Sequence, residues 1–344
     1  MFDDVVGQET AKRILGSQIG NSRIPQVYLF HGPFGVGKRQ MAISLAKALN
    51  CERGGGCGKC SSCAKIERCV HPDVQIVFPI PQSGKADELA EWFERARASN
   101  FKLSFTRKTS ISIDTVRALS STTSIRPLEA TFRVVVIIDA DRMTVEASNA
   151  FLKVLEEPSP HSIFILVTER PHHLPKTVWS RCQPIRFRSL SVREITDALV
   201  KKGMERDRVD LASRLAGGSL GRALFYSSPE RLKIRARLVQ GFLALAEKRL
   251  PVLVAFSQWL VDECDKQVFV ETFISLYRDL LLLKEGMEGL VQNFDSVARL
   301  RARATSCRSA AILQSIDRLE DFAESFERSV NLKVAFPPLL FALA

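Results

Sequence analysis

The sequence predicts an α/β domain, a parallel sheet with helices on both faces, followed by regions built only of helices. Three observations predict it. Short apolar runs at residues 27–30, 74–78, 134–138 and 163–167 alternate with helix-like or loop segments, the pattern of a sheet buried on both faces. The first run leads into the glycine frame Gly32-x-x-x-x-Gly37-Lys38, and residues 38–50 then carry Met41, Leu45, Ala48 and Leu49 at helical spacing. After about residue 190 the strand signals stop.

The glycine frame is the first element to justify. Backbone N–H groups of such a loop, set at a helix N-terminus, suit a phosphate, and Lys38 adds a point charge. Gly32, Gly35, Gly37 and Lys38 are therefore candidate phosphate ligands, which makes ATP or ADP a possible cofactor. The next position breaks the pattern. Where a Ser or Thr hydroxyl should hold magnesium stands Arg39. The run 134–138 ends in Asp139-Ala140-Asp141, so Asp139 is available as the acid at the strand end, but no Glu follows it. Two defects in one machine argue for nucleotide binding without turnover.

The second element is the cysteine cluster. Of eight cysteines, Cys51, Cys57, Cys60 and Cys63 crowd into residues 51–63, and Cys57-x-x-Cys60-x-x-Cys63 forms two interlocked turns that can aim thiolates at one tetrahedral ion. A structural zinc is expected there, with Cys51 as fourth ligand and Cys69 or His71 as substitutes. Four thiolates leave no open position for water, so this metal staples rather than catalyses.

Residues 81–110 read as an insertion in which Leu89, Trp92, Phe93 and Ala96 have the spacing of a docked amphipathic helix. Residues 141–157 carry Met143, Ala147, Ala150, Phe151, Val154 and Leu155 on one helical face, and Pro158 and Pro160 stop that helix. Beyond it, Gly217-Gly218-Ser219 and Ser227-Ser228-Pro229 are breaks. The expected domains are residues 1–190, 191–235 and 236–344. In the last of these, the apolar spacing of residues 273–280 is that of core packing.

A net charge of +11 is compatible with a nucleic-acid partner, although a basic run such as Arg299-Leu300-Arg301-Ala302-Arg303 equally makes a solvated helix face. No apolar run approaches the roughly 18 to 20 residues that cross a bilayer, and the start is acidic, so a cytoplasmic location is expected.

Phe2-Asp3-Asp4-Val5-Val6-Gly7-Gln8, the loop to Lys38, the cysteine cluster, Leu155-Glu156-Glu157-Pro158 and Ser180-Arg181-Cys182 occur in an order that resembles the AAA+ clamp-loader subunits of bacterial DNA polymerase III. Both the gamma/tau motor subunits and the delta-prime subunits share it over roughly the first 225 residues. The motor keeps a Thr after the lysine and an Asp-Glu pair; counted from Leu155-Glu156-Glu157-Pro158 the pair falls on Ile138 and Asp139, counted from the strand on Asp139 and Ala140. Either way half is lost, and this together with His71-Pro72-Asp73 and residues 111–117 is similar to delta-prime.

The resemblance implies an AAA+ P-loop domain with a zinc module, a small helical lid and a helical collar that joins a ring. It implies that Arg181 is an arginine finger acting on the neighbouring subunit's ATP site and that Thr168 is a nucleotide sensor. Gly221 stands where a second sensor arginine would be, with Arg222 displaced by one. Implied partners are the gamma/tau and delta subunits, the sliding clamp and primer-template DNA. The competing expectations are an active gamma/tau-like ATPase and a stand-alone zinc-containing nucleic-acid binder.

Overall fold

A computed structural model describes residues 1–81, 109–247, 249–325 and 331–344. These group into two compact units. One holds the described residues up to Lys202 together with Gly218–Gly221, and the other holds Gly203–Gly217 and the described residues of Arg222–Ala344.

The first unit is built on a parallel sheet. Its strands are β1 (Val27–His31), β2 (Val74–Val77), β5 (Arg133–Ile138), β6 (Ser162–Thr168) and β7 (Gln183–Arg186), ordered β2-β5-β6-β1-β7. Every residue of β5 and β6 is buried, which only a sheet covered on both faces requires. The period of two divides them cleanly. Val134, Val136, Ile138, Ile163, Ile165 and Val167 face a core shared with Met41 and Leu45 of α2 (Lys38–Asn50). Val135, Ile137, Phe164 and Leu166 face the other core, with Val116 and Leu119 of α4 (Ile113–Thr123) and Phe151 and Leu155 of α5 (Val145–Glu156). This is the α/β architecture expected from the sequence, a parallel sheet with helices on both faces.

Two boundaries differ from the sequence reading. The helix expected over 141–157 begins at Val145, because Thr144 caps it through the Ala147 N–H and Ala140–Arg142 form a separate 3-10 turn. Strand β7 carries no strong apolar signal, since it is an edge strand containing Pro184 with only Ile185 buried.

The short strands β3 (Ile80–Pro81) and β4 (Thr109–Ser110) pair antiparallel, Ile80 with Ser110 and Pro81 with Thr109, so the two ends of the expected insertion lie side by side. The helix expected around Leu89, Trp92, Phe93 and Ala96 lies outside the described residues. A further link ties the N-terminal end of β2 to the rest of the sheet. Asp73, fully buried, accepts hydrogen bonds from the N–H groups of Leu128, Glu129 and Ala130 and pairs with Arg133 Nη2 at 3.0 Å.

The second unit is helical throughout its described residues. Phe242 of α10 (Pro229–Ala244), Phe256 of α11 (Leu250–Glu263), Phe269, Phe273 and Tyr277 of α12 (Lys266–Lys284), and Phe336 of α15 (Leu332–Leu343) form one aromatic-rich core. Leu300 of α13 (Val297–Ser306) and Leu319 of α14 (Ser309–Ser325) complete it. The apolar spacing of residues 273–280 thus does pack a core. No helix among the described residues is long and apolar enough to cross a membrane.

Candidate functional site

Strand β1 delivers His31 to the carboxyl end of the sheet, where the chain turns through Gly32, Gly35 and Gly37, all at positive φ, and enters α2 at Lys38. Open parallel sheets bind ligands at this end. The loop is pressed against its surroundings. A Cβ on Gly32 would meet the Phe187 carbonyl oxygen at 2.3 Å, and one on Gly35 would meet Ser219 Oγ at the same distance. The Gly221 N–H donates to the Gly35 carbonyl at 3.0 Å, and a Cβ on Gly221 would lie 3.0 Å from Gly35 Cα. A glycine at 221, where the motor would carry its sensor arginine, is what this backbone approach demands.

Lys38 is buried, and its Nζ donates to the carbonyls of Gly32 at 2.7 Å and Pro33 at 2.5 Å. Burial lowers its pKa, opposed by the carboxylates of Glu169 and Asp139. Next to it, desolvation also lowers Arg39, opposed first by Asp139 and then by Glu169. Asp139 follows β5 in the left-handed region at φ 49°; burial raises its pKa, and Arg39 is the main force against that. Ile138 lies in the core, and Asp139, common to both registers, is the acid whose charge acts with that of Arg39. Ala140 beside it is fully buried.

Thr168, at the end of β6, is fully buried; its hydroxyl donates to Asp141 Oδ1 and accepts from the Arg170 N–H at 2.9 Å. Gly32, Gly35, Gly37, Lys38, Arg39, Asp139 and Thr168 thus lie at one end of the sheet, at or just beyond the carboxyl ends of β1, β5 and β6. Glu169 was missed from the sequence, although it follows Thr168 directly. Arg222 pairs with Glu271 at 3.1 Å.

The loop has the backbone form that suits a phosphate group, three glycines at positive φ leading into the N-terminus of α2. The divalent metal that accompanies nucleotide at a phosphate loop does not fit. Where its hydroxyl ligand would stand is Arg39, whose charge and that of Asp139 act on each other.

Arg181 lies between α6 (Lys176–Trp179) and β7. Its Nη1 donates to the Thr177 carbonyl at 3.0 Å and its Nη2 to Glu156 Oε1 at 2.9 Å, with the arginine side chain 36% exposed.

The four cysteines meet. Their sulfur atoms all lie within 4.8 Å of one another, and Cys51 Sγ is 3.9 Å from Cys60 Sγ. A tetrahedral ion at about 2.3 Å from each sulfur needs edges of roughly 3.8 Å. Cys51 ends α2, and Cys60 caps α3 (Ser61–Glu67) by accepting from the Cys63 N–H at 3.4 Å. Cys51 accepts the Cys57 N–H at 3.3 Å. Burial presses the Cys51 thiol upward, yet backbone N–H groups outweigh it and hold it near pH 6, while burial pushes Cys63 up to about 12. Neither substitute joins them. Cys69 turns toward the Glu67 carbonyl, and His71 is engaged with Ser62 Oγ at 3.2 Å and with the Asp73 N–H at 3.1 Å.

The family model described as DNA polymerase III, delta subunit, matches residues 7–191, more than half of the chain, and one described as the C-terminal part of that delta subunit matches residues 229–343. The chain belongs to the DNA polymerase III delta-subunit family. Within that family setting it is 25% identical to DNA polymerase III subunit delta' of Bacillus subtilis, over 98% of this chain and 96% of that protein. It is also 27% identical to subunit tau of the same organism, over 97% of this chain but only 60% of tau. Among solved structures, a DNA polymerase III gamma-subunit-related protein from Thermotoga maritima aligns over 98% of each chain at 18% identity, with a TM-score of 0.44. The delta-prime-like subunit of DNA polymerase III expected from the sequence is supported by these matches.

Proposed function

We propose that this delta-prime-like subunit works in the cytoplasm as part of a clamp loader, with gamma/tau and delta subunits, and helps place a sliding clamp on primer-template DNA. It does not hydrolyse ATP itself. The observation that carries this reading is the contrast between its two arginines: Arg39 stands where the metal-holding hydroxyl belongs, while Arg181, 36% exposed, is held on the surface by Glu156.

Within this reading Arg181 is the catalytic residue of the neighbouring subunit's site. A guanidinium placed at the γ-phosphate stabilises charge that grows in the transition state. To reach it, Arg181 must release Glu156. The subunit's own pocket binds ATP or ADP through Gly32, Gly35, Gly37 and Lys38, without turnover. The four thiolates of Cys51, Cys57, Cys60 and Cys63 hold a structural zinc. Residues 1–190, 191–235 and 236–344 act as motor-like domain, lid and collar.

The test is ATP turnover by the reconstituted loader with Arg181→Ala. A fall at the adjacent site by about 10³ to 10⁵ supports the finger role; unchanged turnover removes it. Appreciable magnesium-dependent hydrolysis by the isolated chain would favour the active gamma/tau-like alternative.

A further inference from the structure

The loop that carries Gly32, Gly35 and Gly37 is held from outside as well as by its own glycines, and one of its holders is Gln8. We infer that Gln8 is a positioning residue for phosphate: its side-chain amide ties the Val36 carbonyl to the backbone of Arg188 and so keeps the Gly37 N–H turned toward a bound anion. The inference deepens the reading that this pocket binds nucleotide, and rests on it.

Gln8 stands immediately before α1 (Glu9–Gly20), in the position where a short polar side chain ordinarily caps a helix, and it makes no such cap. Its backbone is in the left-handed region at φ 60°, a strained conformation for a residue with a side chain, and the residue is buried. From there Nε2 donates to the Val36 carbonyl at 3.2 Å and to the Arg188 carbonyl at 2.7 Å, while Oε1 accepts the Arg188 N–H at 3.1 Å. The amide is thus spent on two backbone segments, the phosphate loop and the stretch just past β7. That second segment is itself anchored. Arg188 forms a bidentate ion pair with Glu194 at 2.6 and 2.9 Å, and Glu194 closes a capping box with Ser191 at the start of α7 (Val192–Lys201).

What this does to the loop follows from the planarity of the peptide group. The Val36 carbonyl and the Gly37 N–H belong to one trans peptide and point in opposite directions. Gln8 holds the first, so the second faces away from Gln8. The preceding peptide is held in the same manner: the Gly35 carbonyl accepts from the Gly221 N–H at 3.0 Å, which turns the Val36 N–H away from Gly221. Among the described residues neither N–H has an acceptor, although Val36 is buried. Buried backbone donors are seldom left so. Two adjacent donors at the N-terminus of α2 suit a phosphate oxygen, and both owe their direction to the groups that hold the carbonyls behind them.

Gln8→Glu tests the amide at nearly constant shape, since it keeps the acceptor for the Arg188 N–H but turns an oxygen toward the carbonyls of Val36 and Arg188. In calorimetric titrations of the full chain with ADP and with inorganic pyrophosphate, its affinity for both should fall about tenfold or more. Relative to the unaltered chain at the same pH, that affinity should recover on acidification, because a protonated carboxyl regains a donor. In nitrogen-15 glycine-labelled protein, saturating pyrophosphate should move the Gly37 amide resonance of the unaltered chain. Gln8→Gly, which removes the amide and suits the left-handed backbone, is expected to lose affinity as well and serves if the first variant does not fold. Far-ultraviolet spectra and melting midpoints establish the folding of each.

Binding of both ligands by a folded variant within about threefold of the unaltered chain overturns the inference and leaves nucleotide binding standing. A loss in Gln8→Glu that acid does not reverse, or a Gly37 resonance that stays in place on saturation, overturns it too. Absence of binding by the unaltered chain at millimolar ligand removes the nucleotide reading and the inference with it, and leaves the role of Arg181 untouched.

Discussion

Glu156, from the last residue of α5, receives Arg181 Nη2 at 2.9 Å across the gap to the loop before β7. Both side chains are partly exposed, at 53% and 36%, and exposed pairs of this kind contribute about 0–1 kcal/mol. Replacing Glu156 by Gln should therefore leave the melting midpoint nearly unchanged. If Arg181 acts on the neighbouring site as proposed, the reconstituted loader should keep its turnover or gain some, because Arg181 no longer has a competing partner. A fall of turnover comparable to that of Arg181→Ala would show that Glu156 does more than hold the arginine.

Gly221 and Gly35 touch backbone to backbone, and neither tolerates a side chain. Gly221→Ala places a methyl 3.0 Å from Gly35 Cα, and Gly35→Ala adds a residue at φ 67° with a contact of 2.3 Å to Ser219 Oγ. Each should cost about 1–3 kcal/mol, Gly35→Ala the more because it combines strain with overlap. Differential scanning fluorimetry of the two variants checks the order.

The cysteine cluster predicts one zinc per chain by metal analysis. Cys51→Ser should lose it or hold it far more weakly, whereas Cys69→Ser should retain it, since only Cys51 joins the other three sulfurs. Prolonged chelation should lower the melting midpoint of the unaltered chain, because binding free energy of a structural metal is folding free energy. Retention of full metal by Cys51→Ser would eliminate it as a ligand.

Asp73 sets an acid limit on stability. Burial by itself would raise its pKa, but the N–H groups of Glu129, Leu128 and Ala130 together with Arg133 outweigh burial and lower it. The folded value lies below the unfolded one of about 3.9, so the contribution is complete above that pH and is lost as pH falls through the folded value. Asp73→Asn removes the charge and leaves the Arg133 guanidinium buried without its counterion, at a cost of about 3–5 kcal/mol. Its melting midpoint should be much lower at pH 7, and the steep acid dependence of the unaltered chain should flatten.

Much of this was legible in the order of residue types. Runs such as Val134-Val135-Val136-Ile137-Ile138 announce a strand buried on both faces, and glycines followed by lysine at a strand end announce the phosphate loop. The cysteine spacing announced the cluster, with Cys51 named before its sulfur could be placed. What was not legible depends on packing. Strand β7 pairs with β1 from Tyr28 to His31 through backbone groups, a pairing its own composition does not signal. Glu169 reads as an ordinary charged residue until the fold brings it into the field of Lys38 and Arg39. The partner of Arg181 sits 25 positions earlier in the chain, where only the turn of α5 toward that loop reveals it.

The pairing of Ile80 with Ser110 has a practical side for anyone altering this molecule. Two backbone rungs, Ile80 with Ser110 and Pro81 with Thr109, set the tether between β2 and α4, so that a disulfide or spin-label pair placed across them reads the distance directly.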